Sequence, residues 1–277
     1  MATPMPASLE EVLNAPVSGW RSPSIEVFRW DLFPDVLVID TADFHVQDRL
    51  FTRLAYFAEK KGTRGKLMTN AWLTGRHGWN AHDYGSDALS AFYNAAAVRA
   101  FPLNPEEREL ESLALREGIL VADGDRVAPG RGGVLSLSRS SSAIQRRYLL
   151  THESMHGVFF SSAAYRELCF QLWDSLPPEE RDFYTHFLDS LGYDASDRFL
   201  AVNEFQAYLM QQPLQYAPSY FQRFQERFAP EGSAPMEPGR LVATATVLDS
   251  FLREHFGVSA GATIGATGPA RQEQRVQ

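Results

Sequence analysis

Hydrophobic positions fall into two regimes along this chain. Ahead of Ser142, short β-branched apolar runs alternate with stretches of helical period; from Ser142 on, the period is helical almost throughout. Asp35–Asp40 (DVLVID), bounded by Pro34 and Thr41, predicts a strand, and Ile25–Trp30 predicts a shorter one. Val46, Leu50, Leu54 and Phe57 recur at the spacing of an amphipathic helix that closes at Lys60-Lys61-Gly62. A helix over Ser86–Arg99 follows, and Asn104-Pro105-Glu106-Glu107 opens another with an N-cap, a proline at the first position and acids in the first turn. Residues 119–122 and 126–128 flank Asp123-Gly124-Asp125 as a hairpin. In Val134–Ser138, polar and apolar residues alternate as in a strand covered on one face, with an edge free for an extended peptide. Further helices are predicted from Pro177-Pro178 to Leu191-Gly192, from Ser196 or Asp197 to Gln212, and over 218–228 and 239–256.

The helix that begins at Ser142 contains Thr151-His152-Glu153-Ser154-Met155-His156-Gly157. Positions four apart on a helix stand one above the other, so His152 and His156 project from one face and supply two ligands for a zinc ion. Glu153 stands about 100° around the helix, close enough to act as general base on a metal-activated water. Seven histidines in 277 residues produce this H-E-x-x-H pattern by chance about once in a hundred. Tyr148, Leu149, Met155, Val158 and Phe159 surround it, so the polar trio is set in an apolar helix and needs a partner there.

Composition narrows the classes. A net charge of −8 argues against a nucleic-acid surface, and one cysteine, Cys169, excludes an internal disulfide framework. No apolar run approaches a membrane span, and Met1–Asn14 lacks the basic and apolar segments of a signal peptide, so the expectation is a cytoplasmic protein. The loop Gly75–Tyr84 holds His77, His82 and Asp83, either a second polar site or simply a packed loop. Arg139, Arg146 and Arg147 flank the motif, where they either receive a substrate carboxylate or solvate the helix start.

A third ligand must come from another element. Glu204 is the leading candidate, because its neighbours Phe199, Leu200, Phe205 and Leu209 are apolar and a carboxylate among them needs a positive partner; Asp189, Asp194 and Asp197 come next. H-E-x-x-H followed by a helix with Asn203-Glu204-Phe205-Gln206-Ala207 resembles the gluzincin metallopeptidases, loosely the lethal-factor-like branch, over about Val134–Gln212. The resemblance implies a zincin-like core, one Zn2+ held by His152, His156 and Glu204, Glu153 as general base, and Tyr208 as oxyanion donor, with Tyr184 and Tyr193 as competitors. The separation of 48 positions from His156 to Glu204 exceeds the thermolysin-like spacing, and Ser162 stands where a metzincin has its third histidine.

The expectation is therefore an α+β, mainly helical protein with a small sheet before the active-site helix and a helical C-terminal half. Its regions are an extended segment at 1–24, an α/β region at 25–130, a metal-binding region at 131–257 and a disordered tail at 258–277. The expected activity is zinc-dependent hydrolysis of a peptide or protein substrate. The alternatives are a non-catalytic zinc-binding peptide-recognition module and a zinc hydrolase of a non-peptide amide.

Overall fold

The computed structural model describes residues 1–228 and 238–264. Its strands are β1 (Met5–Ala7), β2 (Ile25–Trp30), β3 (Val36–Thr41), β4 (His82–Gly85), β5 (Leu120–Asp123), β6 (Arg126–Pro129) and β7 (Gly133–Ser138). Its α-helices are α1 (Leu9–Asn14), α2 (Phe44–Ala58), α3 (Asn70–Leu73), α4 (Ser86–Val98), α5 (Pro105–Arg116), α6 (Ala143–Ser161), α7 (Ala163–Ser175), α8 (Pro178–Leu191), α9 (Arg198–Met210), α10 (Ala217–Phe228) and α11 (Pro238–Phe256). The fold is α+β and mainly helical. No helix among the described residues is long and apolar enough to cross a membrane.

Five strands form a mixed sheet in the order β1-β2-β3-β7-β4. β3 runs parallel to β7, with Val36 opposite Gly133 and Thr41 opposite Ser138; β2 is antiparallel to β3 and parallel to β1, and β4 is antiparallel to β7. Side chains alternate between the faces. Phe28, Trp30, Val36, Val38, Leu135 and Leu137 enter a core with α6, α7, α8, α9 and α11. Val27, Leu37, Ile39, Tyr84 and Val134 enter a second core with α2, α4 and α5. Helices thus cover both faces, and all six residues of β7 are buried. This corrects two expectations. β7 is not covered on one face only, and it offers no edge, because β3 and β4 flank it. At one side the sheet ends at β1, and beyond β7 it ends at β4, in the stretch expected to be a loop. Those residues are extended because each of the four finds a partner on β7.

Three further corrections come from tertiary contacts. The first 24 residues are not an extended wrapping: Met5–Ala7 pairs with Phe28–Trp30, and α1 starts with a Ser8–Glu11 capping box that seats Val12 in the core. The boundary at 130/131 does not separate two units, since β7 completes the sheet begun by β2 and β3. Of the tail expected to be disordered, Val258–Ile264 packs against the molecule and 265–277 lies outside the described residues. The packing is specific: Gly261 N–H donates to Met210 O (2.9 Å), and the Thr263 hydroxyl meets Arg147 O and the Thr151 hydroxyl, both at 2.6 Å. α2 also ends earlier than its cations suggest, at Ala58, and Lys60 forms a bridge with Tyr193 instead of lying over a last helical turn.

α6 begins with a capping box of Ser142 and Gln145 and presses closely on the sheet. Gly157 makes that approach possible, because a Cβ there would meet Val36, Trp30 and Leu135 at 3.2–3.4 Å. Arg146 fixes the helix in register with β3 through a bidentate pair to Asp40, 2.8 Å to each oxygen, and Arg139 adds a third contact at 2.6 Å. Asp40 is fully buried, so its charge requires these partners. Arg139 and Arg146 are committed to it, and Arg147 to Glu10 and Thr263 O, which withdraws all three from receiving a substrate carboxylate.

Candidate metal centre

Three elements meet beside the β4 edge of the sheet. α6 contributes His152 and His156 from one face, and α9 packs against it with Glu204 directed inward. His152 Nε2 lies 3.1 Å from His156 Nε2 and 3.5 Å from Glu204 Oε2, and His156 Nε2 lies 3.9 Å from Glu204 Oε1. Ligand atoms about 2.0–2.2 Å from a tetrahedral zinc lie about 3.3–3.5 Å from one another, so this triangle has the dimensions such an ion needs.

Proton positions make the same point. His152 Nδ1 is 3.0 Å from Gln211 Oε1, an acceptor, so the proton sits on Nδ1 and Nε2 is bare. His156 Nδ1 is buried without a hydrogen-bond partner and faces the Asp83 carboxylate at 3.5 Å, while its Nε2 turns toward His152 Nε2 at 3.1 Å. Burial, with a smaller push from His152, lowers the His156 pKa to about 4 despite the opposing pull of Glu204, so the ring is neutral at physiological pH. Two imidazole nitrogens and a carboxylate converge within 4 Å, and either a proton shared between the rings or a cation among the three can occupy that position. The residues fit a zinc ion.

Glu153 is buried next to this triangle, and its Oε2 has no hydrogen-bond partner. Burial first, then the Glu204 and Glu59 charges, raise its pKa well above the ordinary carboxylate value. Tyr208, one turn beyond Glu204, lays its ring against His152 with centroids 4.6 Å apart, and burial raises its pKa well above the ordinary value. Tyr193 stacks on Trp79 at 4.7 Å and feels the charges of Glu204, Glu59 and Asp83. Tyr184 is elsewhere, packed among Trp173, Phe205 and Phe221. The other carboxylates considered for the metal are also engaged elsewhere. Asp189 pairs with Lys61, Asp194 accepts from Ser196, and Asp197 caps α9 and pairs with Arg64.

The polar loop resolves into three separate environments. His77 is held between Asp48 (2.7 Å) and Asn80 (3.1 Å). His82 points to the opposite face of the sheet, bonded to Tyr84 and stacked on Phe51. Only Asp83 faces the centre. Glu59 is a further buried group that sequence reasoning passed over. Its carboxylate accepts from Trp79 Nε1 at 2.5 Å, and burial followed by Glu204 pushes its pKa up to about 8. The sequence did hold a signal for Gln211, which follows Glu204 by seven residues and shares its helix face with Tyr208. No family model matches the chain, and no curated protein or solved structure matches it.

Proposed function

We propose that this protein is a zinc-dependent metallopeptidase, with His152, His156 and Glu204 as ligands and Glu153 as general base. The observation that carries the proposal is the convergence of the His152 and His156 Nε2 atoms and the Glu204 carboxylate beside the buried Glu153 carboxylate, whose Oε2 has no hydrogen-bond partner. A bound zinc ion would supply Lewis-acid polarisation of the scissile carbonyl and acidify a water.

The chain's own residues account for the remaining steps. Glu153 takes the proton of the attacking water and passes it to the leaving amine. Its raised proton affinity suits it to hold that proton between the two transfers. The buried Tyr208, whose ring lies against His152, and Tyr193 are the candidate donors to the developing oxyanion. The β4 edge favours a peptide over another amide, because an extended substrate adds to a sheet edge through its main chain. The reading of a zincin-like core is supported by α6 lying on the sheet beside β4 and by Glu204 reaching the two histidines from a later helix.

Elemental analysis of the purified protein tests the site: about one zinc per chain is expected, lost in His156→Ala. A fluorogenic peptide library then tests the activity, with Glu153→Gln expected to keep the metal and lose turnover by at least about a hundredfold. Full activity in Glu153→Gln would remove the general-base assignment. Zinc binding without cleavage of any library member would leave a peptide-recognition module.

A further inference from the structure

β4 turns its side chains alternately to the two faces of the sheet, and those facing α6 come from Asp83 and Gly85. Gly85 presents no side chain; a Cβ there would lie 2.9 Å from the Phe160 ring. Asp83 is therefore the only side chain that β4 directs toward the metal-binding helix. Its Oδ2 faces His156 Nδ1 at 3.5 Å and accepts a hydrogen bond from Asn203 Nδ2 at 3.1 Å. Asn203 immediately precedes Glu204 and is itself buried. One carboxylate from an edge strand thus faces the otherwise unpartnered Nδ1 of His156 on α6 and holds the Asn203 side chain on α9, next in sequence to Glu204.

We propose that Asp83 is the positioning residue of the metal centre. By accepting the Nδ1 proton of His156 it keeps Nε2 bare and aimed at the ion, and through Asn203 it ties the Glu204 segment of α9 to β4. The metal part of this inference needs only the ligand set. The role of β4 as the peptide's seat rests on the peptidase proposal. On that basis the strand has two functions: its backbone receives substrate, and its single inward side chain orients a ligand. Outer-shell partners of ligating histidines contribute about 10–100-fold in metal affinity.

The test is a zinc competition titration against a chromophoric chelator, with wild type, Asp83→Asn, Asp83→Ala and the exposed control Asp87→Asn in parallel. Asp83→Ala is expected to bind zinc about 10–100-fold more weakly. Asp83→Asn should fall between it and wild type, because the amide oxygen still accepts from Nδ1, and Asp87→Asn should match wild type. Nitrogen-15 spectra of the metal-free histidines supply a readout that a merely structural role would not move: wild type holds His156 in the Nδ1–H tautomer, and Asp83→Ala releases it to a mixture. If Asp83→Ala fails to fold, the near-isosteric Asp83→Asn decides by the same two measurements. Unchanged zinc affinity and tautomer in a zinc-binding protein would overturn the positioning role alone. Two zinc ions in wild type, one lost with Asp83, would make Asp83 a ligand and overturn it as well. No zinc in wild type would overturn both proposals.

Discussion

His156 has the most demanding environment of any residue in the centre. Buried and facing carboxylates on both nitrogens, it stays neutral because the desolvation cost of a buried imidazolium exceeds their attraction. Its pKa falls from the ordinary 6.5 to about 4 in the folded protein. Between those values the unfolded chain binds a proton that the folded chain does not, so stability falls as pH falls through this window. Urea titrations of the metal-free protein from pH 7 to pH 4 should show that loss, and His156→Gln should show a smaller one. Equal slopes would mean that His156 titrates normally. Glu204 is held to a different requirement. Its removal leaves two ligands, and Glu204→Ala should lose most of its zinc by elemental analysis; unchanged occupancy would bring Asp83 forward as the third ligand.

Among the elements, α6 is located by one buried ion pair and one glycine. Arg146→Leu leaves Asp40 in the core with Arg139 as its remaining partner, and the expected loss is about 3 kcal/mol in denaturant unfolding, since breaking a buried pair strands a charge. Gly157→Val forces side-chain atoms into a site where a Cβ already meets three neighbours at 3.2–3.4 Å, with an expected cost of about 1–3 kcal/mol. The elements that were legible in the sequence are those whose signals are local. The caps of α5 and α9, the glycine at the end of α8 and the H-E-x-x-H spacing are each written within a few residues. β1 and β4 carry no such signal: Met5-Pro6-Ala7 and His82–Gly85 are strands because β2 and β7 pair with them. Asp83 was visible as one of three polar residues in a loop, but only strand alternation separates it from His82 and turns it toward α6. Glu204 could be reasoned out from its apolar helix neighbours, whereas Asn203 next to it gave no sign of reaching across to β4.

At the scale of the whole molecule, the half that carries the candidate metal centre is not a module. β7 lies between strands drawn from residues 36–41 and 82–85, and its hydrophobic residues divide between two cores that both need the N-terminal half. A fragment spanning 131–264 should therefore show no cooperative thermal transition by circular dichroism; a cooperative one would mean that α6–α11 can close a core alone. The pairing of β3 with β7 also bears on the order of events during folding. Thr41 and Leu137 are joined by a hydrogen bond across 96 residues of sequence, and contacts of such separation form slowly, in milliseconds to seconds for sheet-dominated topologies. Were α6 to settle on the sheet only after that pairing, with α9 docking on α6 afterwards, the triangle of candidate ligands would be completed at the end of folding. An ion captured by the finished triangle would leave the refolding rate almost untouched and slow unfolding instead. In kinetic terms, the metal would act as a latch on the finished fold and play no part in nucleating it.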